Sequence, residues 1–76
     1  MSKADKALAK VMDPAKTRNV RFDEATLALV RAGFVWDLGS GSHQVYRHND
    51  GRRICLPCHG TEIKPAYVKQ IRELLT

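Results

Sequence analysis

Residues 34–56 read FVWDLGSGSHQVYRHNDGRRICL, and this stretch decides the fold. Three short runs in it are either rich in aromatic and β-branched residues or alternate in polarity, which predicts strands at residues 34–38, 43–48 and 53–56. Asn49-Asp50-Gly51 is a strong hairpin signal, because these residue types accept the positive φ of a tight turn. The Gly-Ser-Gly-Ser run at residues 39–42 is the other predicted turn. The stretch therefore predicts a three-stranded antiparallel meander.

Helical patterns flank this stretch. Residues 2–12 are predicted to form a first helix, with Ser2 and Asp5 in the pattern of a capping box. Residues 23–32 are predicted to form a second helix that ends at Gly33, and a final helix is predicted to begin at Pro65. This order predicts an α+β fold with the last two helices packed on one face of the sheet. The other face is expected to be open, or partly covered by the first helix.

Length and charge limit the function. The 76 residues are expected to form a single domain, 1–76, in which residues 1–19 are an N-terminal helix and connector and residues 20–76 are the core. So small a chain favours a shallow active site near the surface. Thirteen Lys and Arg against eight Asp and Glu give a net charge of +5. This excess favours a polyanionic partner, and the alternative is a basic surface that serves solubility alone.

The expected compartment is the cytoplasm, because the N-terminus lacks the apolar segment of a secretory signal and no run is long enough to span a membrane. Cys55 and Cys58 are then expected to be reduced. The run Cys55-Leu56-Pro57-Cys58-His59 matches the c-type haem signature, but it lies across a strand end without a helical pocket. Zinc held by these residues with His43 or His48, or a redox pair, is the weaker alternative. We predict no metal ligands.

His43 is the residue most indicative of chemistry. It follows a turn whose glycines allow backbone amides to approach a phosphate closely, and it begins a stiff strand. Histidine carries a proton near neutral pH, so the pattern suits attack on a phosphodiester. The alternative is an ordinary hairpin turn followed by a surface histidine.

Basic residues cluster in three places along the chain and could frame one face holding His43. The clusters are Lys16, Arg18 and Arg21; Arg47, Arg52 and Arg53; and Lys64, Lys69 and Arg72. On the final helix, Lys69 and Arg72 are expected to point away from the sheet. Trp36 and Tyr46 could stack on bases, but aromatic residues in strands are more often part of the core.

Taken together, several runs resemble the HicA toxin family. They are residues 32–34 (AGF), 41–53 (GSHQVYRHNDGRR), 57–59 (PCH) and 63–72 (IKPAYVKQIR). The resemblance spans about residues 20–76 in the right order. Two positions depart from the family pattern. Many members carry a basic residue shortly before GSH, where this chain has Asp37, and many have Gly-Thr at the start of the last helix, where this chain has Pro65-Ala66-Tyr67.

The resemblance implies a double-stranded-RNA-binding-domain-like fold and the toxin of a type II toxin–antitoxin system. Such a toxin is a ribonuclease that cleaves mRNA, inhibits translation and is neutralised by a HicB-like antitoxin. The family's catalytic histidine corresponds to His43. RNA supplies its own 2′-hydroxyl nucleophile, so one acid or base with charge stabilisation suffices without a cofactor. The alternative is a non-catalytic RNA-binding module on the same fold.

Other residues are predicted to assist His43. His59 is a candidate second proton carrier, and the alternative is that it fixes the loop after Pro57. The predicted substrate-binding residues are Gly41, Ser42, Arg47, Arg53, Lys64, Lys69 and Arg72.

Overall fold

The computed structural model describes residues 2–40, 43–57 and 61–76, with Leu38 and Ser40 described by their backbone. The elements follow the predicted order. They are α1 (Lys3–Met12), α2 (Phe22–Arg31), β1 (Val35–Ser40), β2 (His43–Arg47), β3 (Arg53–Pro57) and α3 (Pro65–Leu75). Each boundary lies within about two residues of the prediction, because caps and turn residues are local signals.

The predicted helix ends are confirmed. The Ser2 side chain accepts from the Asp5 backbone N–H, and the Asp5 carboxylate accepts in return from Ser2, which completes the capping box of α1. Helix α2 ends at Arg31, and Gly33, just after the C-cap residue Ala32, has a left-handed φ of 99°. The backbone N–H of Gly33 donates to Val30 and that of Phe34 donates to Leu29, the hydrogen bonds of a Schellman motif. Strand β1 begins directly after this turn.

The sheet is an antiparallel meander with the order β1-β2-β3, so β2 is the central strand. A register shift in β1 lies between Trp36 and Leu38. Gly39 and Ser40 were predicted to lie in a turn with residues 41–42. They instead continue β1 and pair with Gln44 and His43. A Cβ atom at Gly39 would lie 2.5 Å from the Gln44 Oε1 atom, so the Gln44 side chain would have to shift.

The β2–β3 hairpin turns at the predicted Asn49-Asp50-Gly51. The His48 backbone N–H donates to Arg52, and the Gly51 N–H donates back to His48. Gly51 has a φ of 99°, the left-handed conformation that such a three-residue connection requires. The turn fixes the register of β2 against β3.

The two faces of the sheet differ in burial. Ile54 and Leu56 of β3 are buried, whereas Arg53 and Cys55 between them are exposed. One face is therefore covered by helices and the other is open along β3. The buried cluster draws on all three helices, on β3 and on the connecting segments, and consists of Ala7, Val11, Val20, Ala25, Ala28, Leu29, Phe34, Ile54, Leu56, Ile63, Val68 and Ile71.

Helix α1 packs chiefly against α2, with a smaller contact to α3, and so lies on the helical side of the molecule. Two ion pairs join it to α2: Lys10 to Glu24 at 2.9 Å, and Asp5 to Arg31 at 2.6 Å. Of the two expectations for the second sheet face, an open surface is the one that fits. Trp36, expected in the core, is 56% exposed because it lies on edge strand β1.

Candidate functional site

His43 is the first residue of β2 and is held on both sides. It pairs with Ser40 of β1 and with Pro57 of β3. Because β2 is the central strand, its backbone has little freedom to move. Alternate residues of a strand share a face, which places His43 on the same face as Val45 and Arg47. The His43 side chain is exposed, at the end of the sheet that faces the start of α3.

A cleft of about 300 Å³ opens beside His43. Its walls come from the end of the sheet, from the segment that follows β3, and from the first turn of α3. The lining residues are His43, Pro57, Glu62, Ile63, Lys64 and Tyr67. An imidazole, a carboxylate, an ammonium group and a phenol thus share one shallow cleft, which suits proton transfer beside an anionic group.

The first turn of α3 adds positive character to this cleft. Lys64 is the N-cap and makes no side-chain capping hydrogen bond, and no acidic residue lies in the first turn. Pro65 occupies the first helical position, as predicted. The positive end of the helix dipole is therefore not neutralised by a carboxylate in its own first turn, and Lys64 adds a full charge beside it.

Glu62 was not anticipated by the sequence analysis. A short backbone bridge pairs it with Arg21, at the N-terminus of α2. The Phe22 N–H donates to Thr61 at 2.8 Å, and the Ile63 N–H donates to Val20 at 3.0 Å. Residues 58–64 carry no sequence pattern that predicts a helix or a strand. The only signal was the polar–apolar–polar order of residues 62–64, in which Ile63 is the buried member.

Arg47 and Arg53 lie on the open face of the sheet. They are directly paired across β2 and β3, and both are exposed. Like charges in this position repel one another, so the pair brings no benefit to the sheet itself. Asp37, the acidic residue that departs from the family pattern, lies 3.6 Å from the Arg47 guanidinium. Part of its negative charge is thus offset by Arg47.

Lys69 and Arg72 do not join the cleft. Together with Glu73 and Thr76 they line a separate groove along α3. Arg72 was predicted to bind the substrate, and in the structure its guanidinium is partly buried. It donates to the backbone oxygen atoms of Val11 at 2.9 Å and Asp13 at 2.8 Å, and so ties α3 to the end of α1. The pattern of a single helix could not show that another helix end would dock there.

His48 lies at the other end of β2 and serves the hairpin. Its ring meets the buried Phe34 ring edge-on, with the ring centroids 5.1 Å apart. Its Nδ1 atom accepts from the Asp50 backbone N–H and lies 3.0 Å from the Asp50 carboxylate. Hydrogen bonds from the Arg52 backbone and guanidinium, with the positive charge of Arg52, hold the pKa of Asp50 below its ordinary value.

Four residues of the predicted site region lie outside the described residues: Gly41, Ser42, Cys58 and His59. Cys55 is exposed on the open face, turned away from Ile54 and Leu56 as predicted. Within residues 2–40, 43–57 and 61–76, no three His, Cys, Asp or Glu side chains come together as metal ligands. The zinc alternative involves Cys58 and His59 and is not tested by this geometry.

The segment from α2 to α3 has the α-β-β-β-α order of a double-stranded-RNA-binding domain, with its helices on one face of the sheet. Its cleft holds the histidine of the GSH run. A family model described as the HicA toxin of bacterial toxin–antitoxin systems matches residues 22–75. The chain therefore belongs to the HicA toxin family, and membership implies an antitoxin partner.

Searches of curated proteins and of solved structures returned no significant match. Within the part of the chain that the structure describes, no helix is long and apolar enough to cross a membrane.

Proposed function

We propose that this chain is an endoribonuclease toxin that cleaves mRNA in the cytoplasm and so inhibits translation. His43 transfers a proton at the scissile phosphodiester, and the full chain, residues 1–76, acts as one domain without a metal. One observation carries the proposal. His43, Lys64 and the positive end of α3 border the same cleft, so a proton carrier stands beside a site suited to a phosphate.

The charges around the cleft suit the growth of negative charge during cleavage. Attack by the 2′-hydroxyl places additional charge on the phosphoryl oxygen atoms. Lys64 and the N-terminal end of α3 stabilise that charge from the wall opposite the sheet. The backbone amides of Gly41 and Ser42, which precede His43 in the chain, are proposed as further donors.

RNA outside the cleft is proposed to follow the open face of the sheet. Arg47 lies four residues along β2 from His43, on the same face, which corresponds to about 13 Å at the usual rise of a strand. Arg47 and Arg53 are proposed to bind phosphates at this distance from the cut. Lys69 is proposed as a remote contact, and Arg72 is left out because its guanidinium is occupied in the fold.

The partner is proposed to be a HicB-like antitoxin that covers the His43 cleft. The net charge of +5 favours an acidic contact surface on that partner. Binding to the folded toxin alone also raises its stability as the partner concentration increases. Protection of the cleft residues from solvent in the complex, compared with the free toxin, tests this arrangement.

The test of the proposed function is cleavage of a labelled RNA with chelator present. Wild-type protein should cut the RNA and inhibit growth, and His43→Ala should bind the RNA without cutting it. Circular dichroism establishes that the variant is folded. Wild-type protein that binds RNA but never cuts it would replace the proposal with the non-catalytic module.

A further inference from the structure

We infer that Glu62 is the general base of the reaction and His43 the general acid. This assignment rests on the proposed function and deepens it, because the proposed function leaves open which proton His43 moves. Its starting point is the cleft itself, because Glu62 and His43 both line it and both are exposed.

The backbone holds Glu62 in a fixed position. The two hydrogen bonds from Phe22 and Ile63 lie on either side of the Arg21–Glu62 pair, which makes it the closer kind of antiparallel pair. Ile63, 7% exposed, and Val20, fully buried, anchor the two backbones in the core. A segment pinned in this way directs Glu62 outward into the cleft, although residues 61–64 belong to no regular element.

Two cations make the carboxylate compatible with an anionic substrate. Arg21 lies directly opposite Glu62 across the backbone bridge, and its guanidinium lies 3.6 Å from the Asp23 carboxylate, which offsets part of its charge. Lys64, two residues on, lines the cleft from the start of α3. Among the described residues that line the cleft, Tyr67 is the remaining titratable group, and Pro57 and Ile63 carry no charge. The positive charges offset the repulsion between Glu62 and a phosphate.

The division of roles follows from the chemistry of the two groups. A carboxyl group is ionised at neutral pH and then accepts a proton, whereas an imidazole can also donate one. Glu62 removes the proton from the 2′-hydroxyl, the 2′-oxygen forms a bond to phosphorus, and the bond from phosphorus to the 5′-oxygen breaks. The His43 imidazolium donates its proton to the departing 5′-oxygen. The products are a 2′,3′-cyclic phosphate and a 5′-hydroxyl, and proton exchange with water restores both groups.

Two substrates separate the roles. The first is a short RNA, in which the leaving 5′-oxygen needs a proton. The second is uridine 3′-(p-nitrophenyl phosphate), in which p-nitrophenolate leaves without one. On RNA, we expect both Glu62→Gln and His43→Ala to lower kcat/KM by about 10²–10⁴-fold. On the p-nitrophenyl substrate, we expect His43→Ala to recover to within roughly tenfold of wild type, whereas Glu62→Gln stays slow.

The pH profile and a matched control complete the test. Wild-type kcat/KM on RNA should be bell-shaped, Glu62→Gln should lose the acidic limb, and His43→Ala should lose the alkaline limb. Glu73→Gln is the control, because Glu73 is exposed on α3 and lines a different groove. It should cleave both substrates at the wild-type rate.

Three outcomes would overturn the assignment. Glu62→Gln that cleaves RNA at the wild-type rate would exclude Glu62 as the base. Recovery of Glu62→Gln, but not of His43→Ala, on the p-nitrophenyl substrate would reverse the roles. If Glu73→Gln lowered kcat/KM as much as Glu62→Gln does, the effect of Glu62 would be explained by the loss of one negative charge alone. If the wild-type protein cuts neither substrate, the proposed function fails, and that result is distinct from the other three.

Discussion

The two ends of strand β2 each carry a histidine, and the two residues have different surroundings. His43 begins the strand beside an open cleft, with its side chain exposed. His48 follows the last residue of the strand, with its side chain 20% exposed and its ring against Phe34. Both histidines border a cleft, of about 300 Å³ at His43 and about 420 Å³ at His48. The His48 ring is packed against a buried aromatic side chain, whereas His43 is exposed. The difference shows that a histidine's role is decided by what surrounds its ring.

The comparison predicts its largest effect on catalysis. His43→Ala should reduce RNA cleavage by about 10²–10⁴-fold, because it removes a proton-transfer group. Its unfolding free energy should change by less than about 0.5 kcal/mol, since the side chain is exposed. Cleavage kinetics and thermal unfolding measure the two quantities. His48→Ala is the matched control and should keep the wild-type cleavage rate per folded molecule. A loss of cleavage in that control would remove the distinction between the two ends.

A substitution at Gly33 tests the end of β2 that lies beside His48. An alanine Cβ at this position would lie 2.9 Å from the His48 Nε2 atom, on a backbone whose φ is 99°. Gly33→Ala should therefore lower the unfolding free energy by about 1–3 kcal/mol, measured by chemical denaturation. His48→Ala in the same chain removes the clash but not the backbone strain. The double variant should thus lose less stability than the sum of the two single losses. Simple additivity would mean that the ring does not press on Gly33.

Charge on the open face offers a third, smaller effect. Both Arg47 and Arg53 are replaced by alanine. The slope of log binding constant against log salt concentration should then become shallower by about 0.7 for each phosphate that the variant no longer neutralises. Cleavage of a dinucleotide should be unchanged, because the substrate then ends before it reaches the arginines. Binding titrations at several salt concentrations, with RNAs of increasing length, measure this. Lys64→Ala should instead impair even the dinucleotide, because Lys64 lines the cleft.

The smallest expected effect is a loss of stability in acid, caused by protonation of Asp50 in the β2–β3 hairpin. The pKa of Asp50 is lower in the folded chain than its ordinary value of 3.8. The ionised carboxylate therefore stabilises the fold above that ordinary value, and this stabilisation is lost as the pH falls through the lower, folded-state pKa. Asp50→Asn should melt below wild type at neutral pH, and the difference should disappear in acid. A difference independent of pH would contradict this explanation.

The elements and their ends could be predicted from the sequence because their signals are local. The capping box of Ser2 and Asp5, the left-handed Gly33 and the Asn49-Asp50-Gly51 turn act within a few residues of themselves. The position of α1 had no such signal, because it depends on which helical faces remain uncovered after the sheet forms. The exposure of Trp36 likewise depends on β1 being an edge strand, which strand alternation alone does not reveal.

The candidate site could be predicted in part. His43 was identified from the turn before it and from the resemblance, and Lys64 from the charge pattern. Glu62 was missed because its position depends on a bridge to residue 21, about 40 residues earlier in the chain. Arg72 was assigned to RNA because its own helix gives no indication of the end of α1 that it binds. Contacts between distant segments account for both.

The Arg72 contact also has a consequence for biosynthesis. It joins residues 61 and 59 positions apart, and Lys64 and Tyr67 of the cleft likewise follow the three strands in the chain. At about 5–20 residues per second, the ribosome takes roughly 3–12 s to add the residues between Val11 and Arg72. During that interval Arg72 is not yet present to bind the end of α1, and the cleft has only the wall that the sheet provides. A chain that stops before α3 therefore has neither the closing contact nor a complete cleft.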